Sequence, residues 1–92
     1  MCQRCRYAIK VSGRVQGVGY RAFVAKAASR LDVSGFVKNL QDGSVQIEAE
    51  QTQVVLMEFL NICKQGPGWG RVDRLEYVEI PTDSSLGFRI RN

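Results

Sequence analysis

The stretch Gly13-Arg14-Val15-Gln16-Gly17-Val18-Gly19-Tyr20 places three glycines within seven residues, and Arg21 follows directly. Glycine lets a backbone approach a ligand closely, and successive N–H groups in such a loop can converge on an anion. A helix that opens at the end of the loop adds partial positive charge at the same place. A guanidinium there offers paired donors that match phosphate oxygens. Glycines, helix start and arginine together predict a phosphate site; the simpler reading is a tight turn that only joins strand to helix. Two other phosphate motifs fail. Gly17-Val18-Gly19-Tyr20-Arg21-Ala22 fits G-x-G-x-x-G/A, but a chain of 92 residues cannot hold a doubly wound dinucleotide domain. No Gly-Lys-Ser/Thr follows, so the loop is not a Walker A motif.

Asn39 is the second polar candidate. Its side-chain amide both donates and accepts, so it can orient a water molecule. On spacing alone, an asparagine satisfying turn backbone groups is the simpler reading. Histidine is absent altogether. That removes Ser-His-Asp and Cys-His nucleophile systems, phosphohistidine chemistry and histidine zinc sites. The cysteines are Cys2, Cys5 and Cys63. Cys2-x-x-Cys5 is half a metal site without a second pair, so no metal is expected, and the pair is placed on a frayed terminus. Cys63 lies on an apolar helical face and reads as core.

Around these residues the chain is punctuated into short elements. Tyr7, Ile9 and Val11 alternate with Ala8, Lys10 and Ser12 over residues 6–12, a half-buried strand. After the glycine loop, Phe23, Val24, Ala27, Ala28 and Leu31 recur at helical spacing over about Arg21 to Leu31. Residues 33–39 read as a second strand, and Gln41-Asp42-Gly43-Ser44 as a hairpin turn in which Asp-Gly tolerates positive φ. Residues 45–50 alternate cleanly as a third strand. Thr52 is placed to cap a helix over about Gln53 to Gln65, with Val55, Leu56, Phe59, Leu60 and Cys63 as its stripe. Gly66-Pro67-Gly68-Trp69-Gly70 ends that helix. Residues 71–80 form a fourth strand whose irregular alternation suggests burial on both faces or a bulge. A short strand over 87–91 follows the loop 81–85.

The order is β-α-β-β-α-β plus a terminal strand. This α+β pattern is the ferredoxin-like split βαβ arrangement, with two helices on one face of an antiparallel sheet. The open face is expected to be polar, carrying Lys10, Ser12, Gln46, Glu48 and Glu50. The length fits one domain over residues 1–92. Thirteen Lys and Arg against nine Asp and Glu give a net charge of +4, which suits an anionic partner. No apolar run is long enough to span a membrane, and the start of the chain lacks a signal-peptide apolar segment, so a cytoplasmic protein is expected.

Two stretches now resemble a known family. Val11 to Arg21 is similar to the first acylphosphatase signature, centred on G-x-V-Q-G-V-x-[FM]-R, with Tyr20 where Phe or Met is usual. Gly35-Phe36-Val37-Lys38-Asn39-Leu40-Gln41-Asp42-Gly43-Ser44-Val45 resembles the second, G-[FYW]-[AVC]-[KRQ]-N-x-x-x-G-x-V, although Gln51 stands where that signature ends in glycine. Gln65-Gly66-Pro67 and Gly87-Phe88-Arg89-Ile90 match further landmarks. The resemblance implies hydrolysis of a carboxyl–phosphate anhydride to a carboxylate and inorganic phosphate, with no cofactor and no metal. It implies that Arg14, Val15, Gln16, Gly17, Val18, Gly19 and Tyr20 bind the phosphate through backbone N–H groups. By the same resemblance Arg21 pairs with the phosphate oxygens and Asn39 holds the attacking water. The expected partner is a small acyl phosphate acted on by a monomer, with no nucleic acid and no membrane. The competing expectation is a non-catalytic anion- or RNA-binding module of the same fold. It lacks support in the missing aromatic run K/R-G-F/Y-G/A-F-V-x-F/Y.

Overall fold

A computed structural model describes residues 3–91 of the chain. Strand β1 (Arg4–Arg14) leads through the glycine loop into helix α1 (Tyr20–Arg30). Strand β2 (Ser34–Asn39) and strand β3 (Val45–Thr52) form a hairpin, followed by helix α2 (Gln53–Gln65). Strands β4 (Arg71–Ile80) and β5 (Phe88–Arg91) complete the fold. The sheet order is β4-β1-β3-β2-β5. The first four strands pair antiparallel, while β5 runs parallel to β2. The split βαβ arrangement is therefore present, and the added strand makes the five-stranded sheet a mixed one. No helix among the described residues is long and apolar enough to cross a membrane.

The period-2 pattern decides which face is buried. Tyr7, Ile9 and Val11 lie opposite Ala49, Ile47 and Val45, and all six are buried beneath the helices. Helix α1 contributes Val24, Ala27 and Ala28, and α2 contributes Leu56, Phe59, Leu60 and Cys63. Helix α1 lies over β2 and β5, and α2 over β3 and β4.

Several local expectations change on contact with the fold. Only Gly43 of the hairpin turn has positive φ, and Gly43 N–H bonds to Leu40 O (3.2 Å) while Leu40 N–H bonds to Ser44 O (2.8 Å). The connection is thus a longer turn closed by glycine, not a two-residue Asp-Gly turn. Thr52 stands at the start of α2, but its hydroxyl makes no capping bond. Strand β4 is an exposed edge, not a strand buried on both faces, but the expected bulge is present: Ser12 pairs with Arg74 and Gly13 with Val72, which leaves Asp73 as the extra residue in β4. Cys5 is not on a frayed end: it pairs with Gln51 in the β1–β3 ladder, and its thiol points at the Gln51 carbonyl (3.7 Å). Cys2 lies outside the described residues. Gln51 stays in β3 and donates to Asp32 O (2.8 Å), so the missing glycine does not break the strand.

The sheet order has a topological consequence. Strand β4 is at one edge and β5 at the other, so residues 81–87 must cross β1, β3 and β2. That crossing spans about 19 Å at the usual strand spacing. It runs over the open face as a strap, and a buried ion cluster holds it. Arg6 is 3% exposed and Glu50 1%. Arg6 donates to Glu48 Oε1 (3.0 Å), Glu50 Oε1 (3.2 Å) and Asp83 Oδ1 (3.2 Å). Asp83 N–H donates to Glu50 Oε1 (3.0 Å). The alternation placed Glu50 on the open face correctly, but the strap buries it. Burial disfavours the Arg6 cation; its bonds to Glu48 and Glu50 outweigh that and raise its pKa.

Removing one partner of such a cluster leaves buried charge uncompensated. Glu50→Ala is expected to destabilise the fold by about 3 kcal/mol. Equilibrium urea unfolding followed by circular dichroism measures this, and a loss below about 1 kcal/mol would mean that the cluster does not hold the strap.

Candidate functional site

Four chain segments meet at one end of the molecule: the loop after β1, the start of α1, the end of β2 and the last strand. Val15, Gly17, Gly19, Tyr20, Arg21, Ala22, Asn39 and Ile90 line a cavity of about 210 Å³ between them. The parallel pairing of β5 with β2 brings Ile90 beside Val37, two residues from Asn39.

The loop backbone explains its glycines. Gly17 has φ +74° and Gly19 φ +77°, a conformation that side chains with a Cβ rarely adopt. A Cβ at either position would meet nothing within 4 Å, so the requirement is conformational rather than steric. Gly19 is also the N-cap of α1, which has no side-chain cap and no acidic residue in its first turn. Its first intrahelical bond runs from Phe23 N–H to Gly19 O (3.0 Å). The N–H groups of Tyr20, Arg21 and Ala22 therefore have no intrahelical acceptor. Their residues line the cavity, which gives it the donor field of an anion site.

Arg21 is half-buried at the cavity wall, and its Nη1 donates to the Arg91 carbonyl (3.2 Å). That bond steers the guanidinium with a neutral acceptor and adds no carboxylate to offset its charge. Asn39 Oδ1 is buried and has no hydrogen-bond partner. Buried acceptors are almost always satisfied, and an orphan costs about 1–3 kcal/mol. Asn39 itself is among the residues that line the cavity.

The remaining predicted residues divide by role. Gln16 Nε2 donates to both Leu40 O and Ser44 O (2.8 Å each), so its side chain ties the loop to the β2–β3 hairpin. The Val15 side chain belongs to the core. Tyr20 is 1% exposed; its hydroxyl donates to Cys63 O (2.7 Å), and burial pushes its pKa up. The ring thus fills the core, and the phenol that replaces the usual Phe or Met has found a buried acceptor. Arg14 is the exposed last residue of β1, and Val18 packs toward the core; neither lines the cavity. Sequence reasoning missed Ile90 because its place depends on the crossing strap, which no local pattern announces. Among the described residues no group of three or more Cys, Asp or Glu side chains is placed to hold a metal ion.

Comparison with known proteins follows the same lines. A family model described as Acylphosphatase matches residues 7–90. A relative from Pseudothermotoga lettingae, named acylphosphatase, is 40% identical over 82 residues, covering 89% of this chain and 92% of that protein. One from Thermus thermophilus with the same name is 47% identical over 79 residues, 86% of each chain. The crystal structure of acylphosphatase from Bacillus subtilis superposes with a TM-score of 0.91 at 36% identity, covering 96% of this chain and 99% of the other.

The hairpin that carries Asn39 and the two acceptors of Gln16 is itself held by Asp42. Its carboxylate accepts from Ser44 Oγ and Ser44 N–H (3.0 Å) and pairs with Lys10 (3.1 Å). These bonds, those from Ser44 foremost, lower its pKa from 3.8 to about 2. A depressed pKa contributes stability above the ordinary carboxylate value, and that contribution is lost as pH falls toward the folded value. Wild-type unfolding midpoints should drop between about pH 4 and pH 2, and Asp42→Asn should flatten that limb. Urea titrations from pH 5 to pH 2 compare the two slopes, and equal slopes would rule out this role for Asp42.

Proposed function

This chain belongs to the acylphosphatase family, a hydrolase of acyl phosphates, and from that premise we propose how its own residues carry the reaction. The phosphate of the substrate lies against the N–H groups of the loop and the first turn of α1, with the Arg21 guanidinium on its oxygens. Asn39 Oδ1 accepts a hydrogen bond from the attacking water and aims its oxygen at phosphorus. The observation that carries this reading is the orphaned Asn39 oxygen, buried at the cavity that Arg21 and the uncapped helix start also line.

The chemistry asks for little else. Water oxygen forms a bond to phosphorus while the bond from phosphorus to the acyl oxygen breaks. The electron pair leaves on the carboxylate, and the water proton passes to a phosphate oxygen of the substrate. A carboxylate has a conjugate-acid pKa of about 4, so it departs without a general acid. What remains is positioning and stabilisation of phosphoryl charge, which backbone donors and one guanidinium supply. We place this activity in a cytoplasmic monomer acting on a small molecule. The sheet face opposite the helices does not favour nucleic acid. The strap crosses it, and the Arg91 guanidinium lies 4.5 Å from the centre of the Phe36 ring.

Two substitutions test the roles, with benzoyl phosphate as substrate and excess chelator present. Arg21→Ala should lower kcat/KM by roughly 10²–10³-fold at unchanged melting temperature, the loss expected for one well-placed charge-stabilising donor. Asn39→Ala should lower kcat strongly, yet leave inhibition by inorganic phosphate within about two-fold and stability equal to or above wild type, because the variant removes a buried unsatisfied acceptor. Wild-type turnover in Asn39→Ala would end the water-positioning assignment.

A further inference from the structure

Trp69 is the only tryptophan in the chain, and it is 73% exposed. Burial therefore does not account for its placement. Its polar atom does: the indole Nε1–H donates to the carbonyl of Val18, at the tip of the glycine loop. We propose that Trp69 is a positioning residue for the phosphate loop, holding the Val18 carbonyl so that the Gly19 N–H is turned into the cavity. This deepens the reading above and rests on it.

The peptide plane supplies the link. In a trans peptide the C=O of one residue and the N–H of the next point in opposite directions. A Val18 carbonyl drawn outward to the indole leaves the Gly19 N–H directed the other way. Gly17 and Gly19 line the cavity, while Val18 and Trp69 do not. Trp69 thus holds the loop from behind, outside the space the substrate would fill.

The loop needs such a hold. Both glycines flanking Val18 are at positive φ, and with no Cβ they can leave that conformation easily, so nothing intrinsic to the loop tip keeps the peptide in one orientation. Gln16 pins the first half of the loop to the hairpin, and Trp69 pins the second half to the turn after α2. That turn is a firm base. Gly70 N–H closes it onto Pro67 O (3.2 Å), and Pro67 is buried. An added Cβ on Gly70 would sit 3.1 Å from Arg14 O and 3.3 Å from Val18 Cγ2, so the turn lies directly against the loop at both its start and its tip.

Trp69→Phe keeps an aromatic ring and deletes only the donor. The inhibition constant of inorganic phosphate should rise about five-fold and kcat/KM for benzoyl phosphate should fall by a similar factor, the size of one net hydrogen bond. The melting temperature should stay within about 2 °C, since the ring is exposed. Wild-type phosphate inhibition and kcat/KM in Trp69→Phe would overturn the proposal, and so would a lowered melting temperature with unchanged inhibition. The unsubstituted protein gives a second readout. Because Trp69 is the sole indole, titration with inorganic phosphate should shift its fluorescence saturably, with a midpoint equal to the inhibition constant, and Arg21→Ala should abolish the shift. A flat titration through saturating phosphate overturns the coupling. Loss of turnover in Arg21→Ala keeps the parent reading in place whatever Trp69 does; a wild type that neither hydrolyses benzoyl phosphate nor is inhibited by phosphate removes both.

Discussion

One guanidinium holds the two edges of this sheet in a single arrangement. Arg6, in β1, gathers Glu48 and Glu50 from β3 and Asp83 from the strap. The strap runs from the β4 edge to the β5 edge and passes over that point, where Asp83 bonds to both Arg6 and Glu50. Buried ion clusters contribute little net stability compared with apolar packing, but they are intolerant of partial dismantling. Here the cluster fixes where residues 81–87 cross, and so where β5 lies. Strand β5 in turn presents the Arg91 carbonyl to Arg21 and Ile90 to the cavity. A polar contact on one face of the sheet thereby bears on the placement of a charged side chain at the opposite end of the molecule.

The site itself is made from what secondary structure leaves unfinished. A helix start without a cap, two glycines at positive φ and a buried amide oxygen without a partner would each be a local defect in a purely structural protein. Brought to one cavity, they form a set of donors and one acceptor that a phosphate and a water can complete. The supports around them are fully satisfied by comparison. Gln16 uses both amide hydrogens on the hairpin, and Tyr20 anchors the first turn of α1 to the Cys63 carbonyl. Unsatisfied groups face the cavity, and satisfied ones hold them there.

Much of this was legible in the residues alone. Element order followed from alternation in β1 and β3 and from the apolar stripes of the two helices. The glycine loop and Arg21 pointed to an anion on chemistry before any likeness was considered. Asn39 did not: its spacing favoured an ordinary turn residue, and only its place at the cavity and its unpaired oxygen support the role proposed for it. Glu50 was assigned to the right face yet read as solvated, because the strap that buries it arrives from residues 81–87. Ile90 and Trp69 stayed hidden for the same reason. Each acts through a contact more than 45 positions away in the chain, and no periodicity encodes that kind of meeting.

The parallel addition of β5 also orders events in time. Strand β1 pairs with residues some 40 and 70 positions downstream, so its ladders form only after long loops have closed. During synthesis the glycine loop, Arg21 and Asn39 emerge early, within the first half of the chain. The cavity gains its Ile90 wall, and Arg21 its Arg91 acceptor, only once residues 88–91 have been made, have crossed the sheet and have docked beside β2. A nascent or truncated chain can therefore carry every proposed catalytic residue and still lack one wall of the cavity they line.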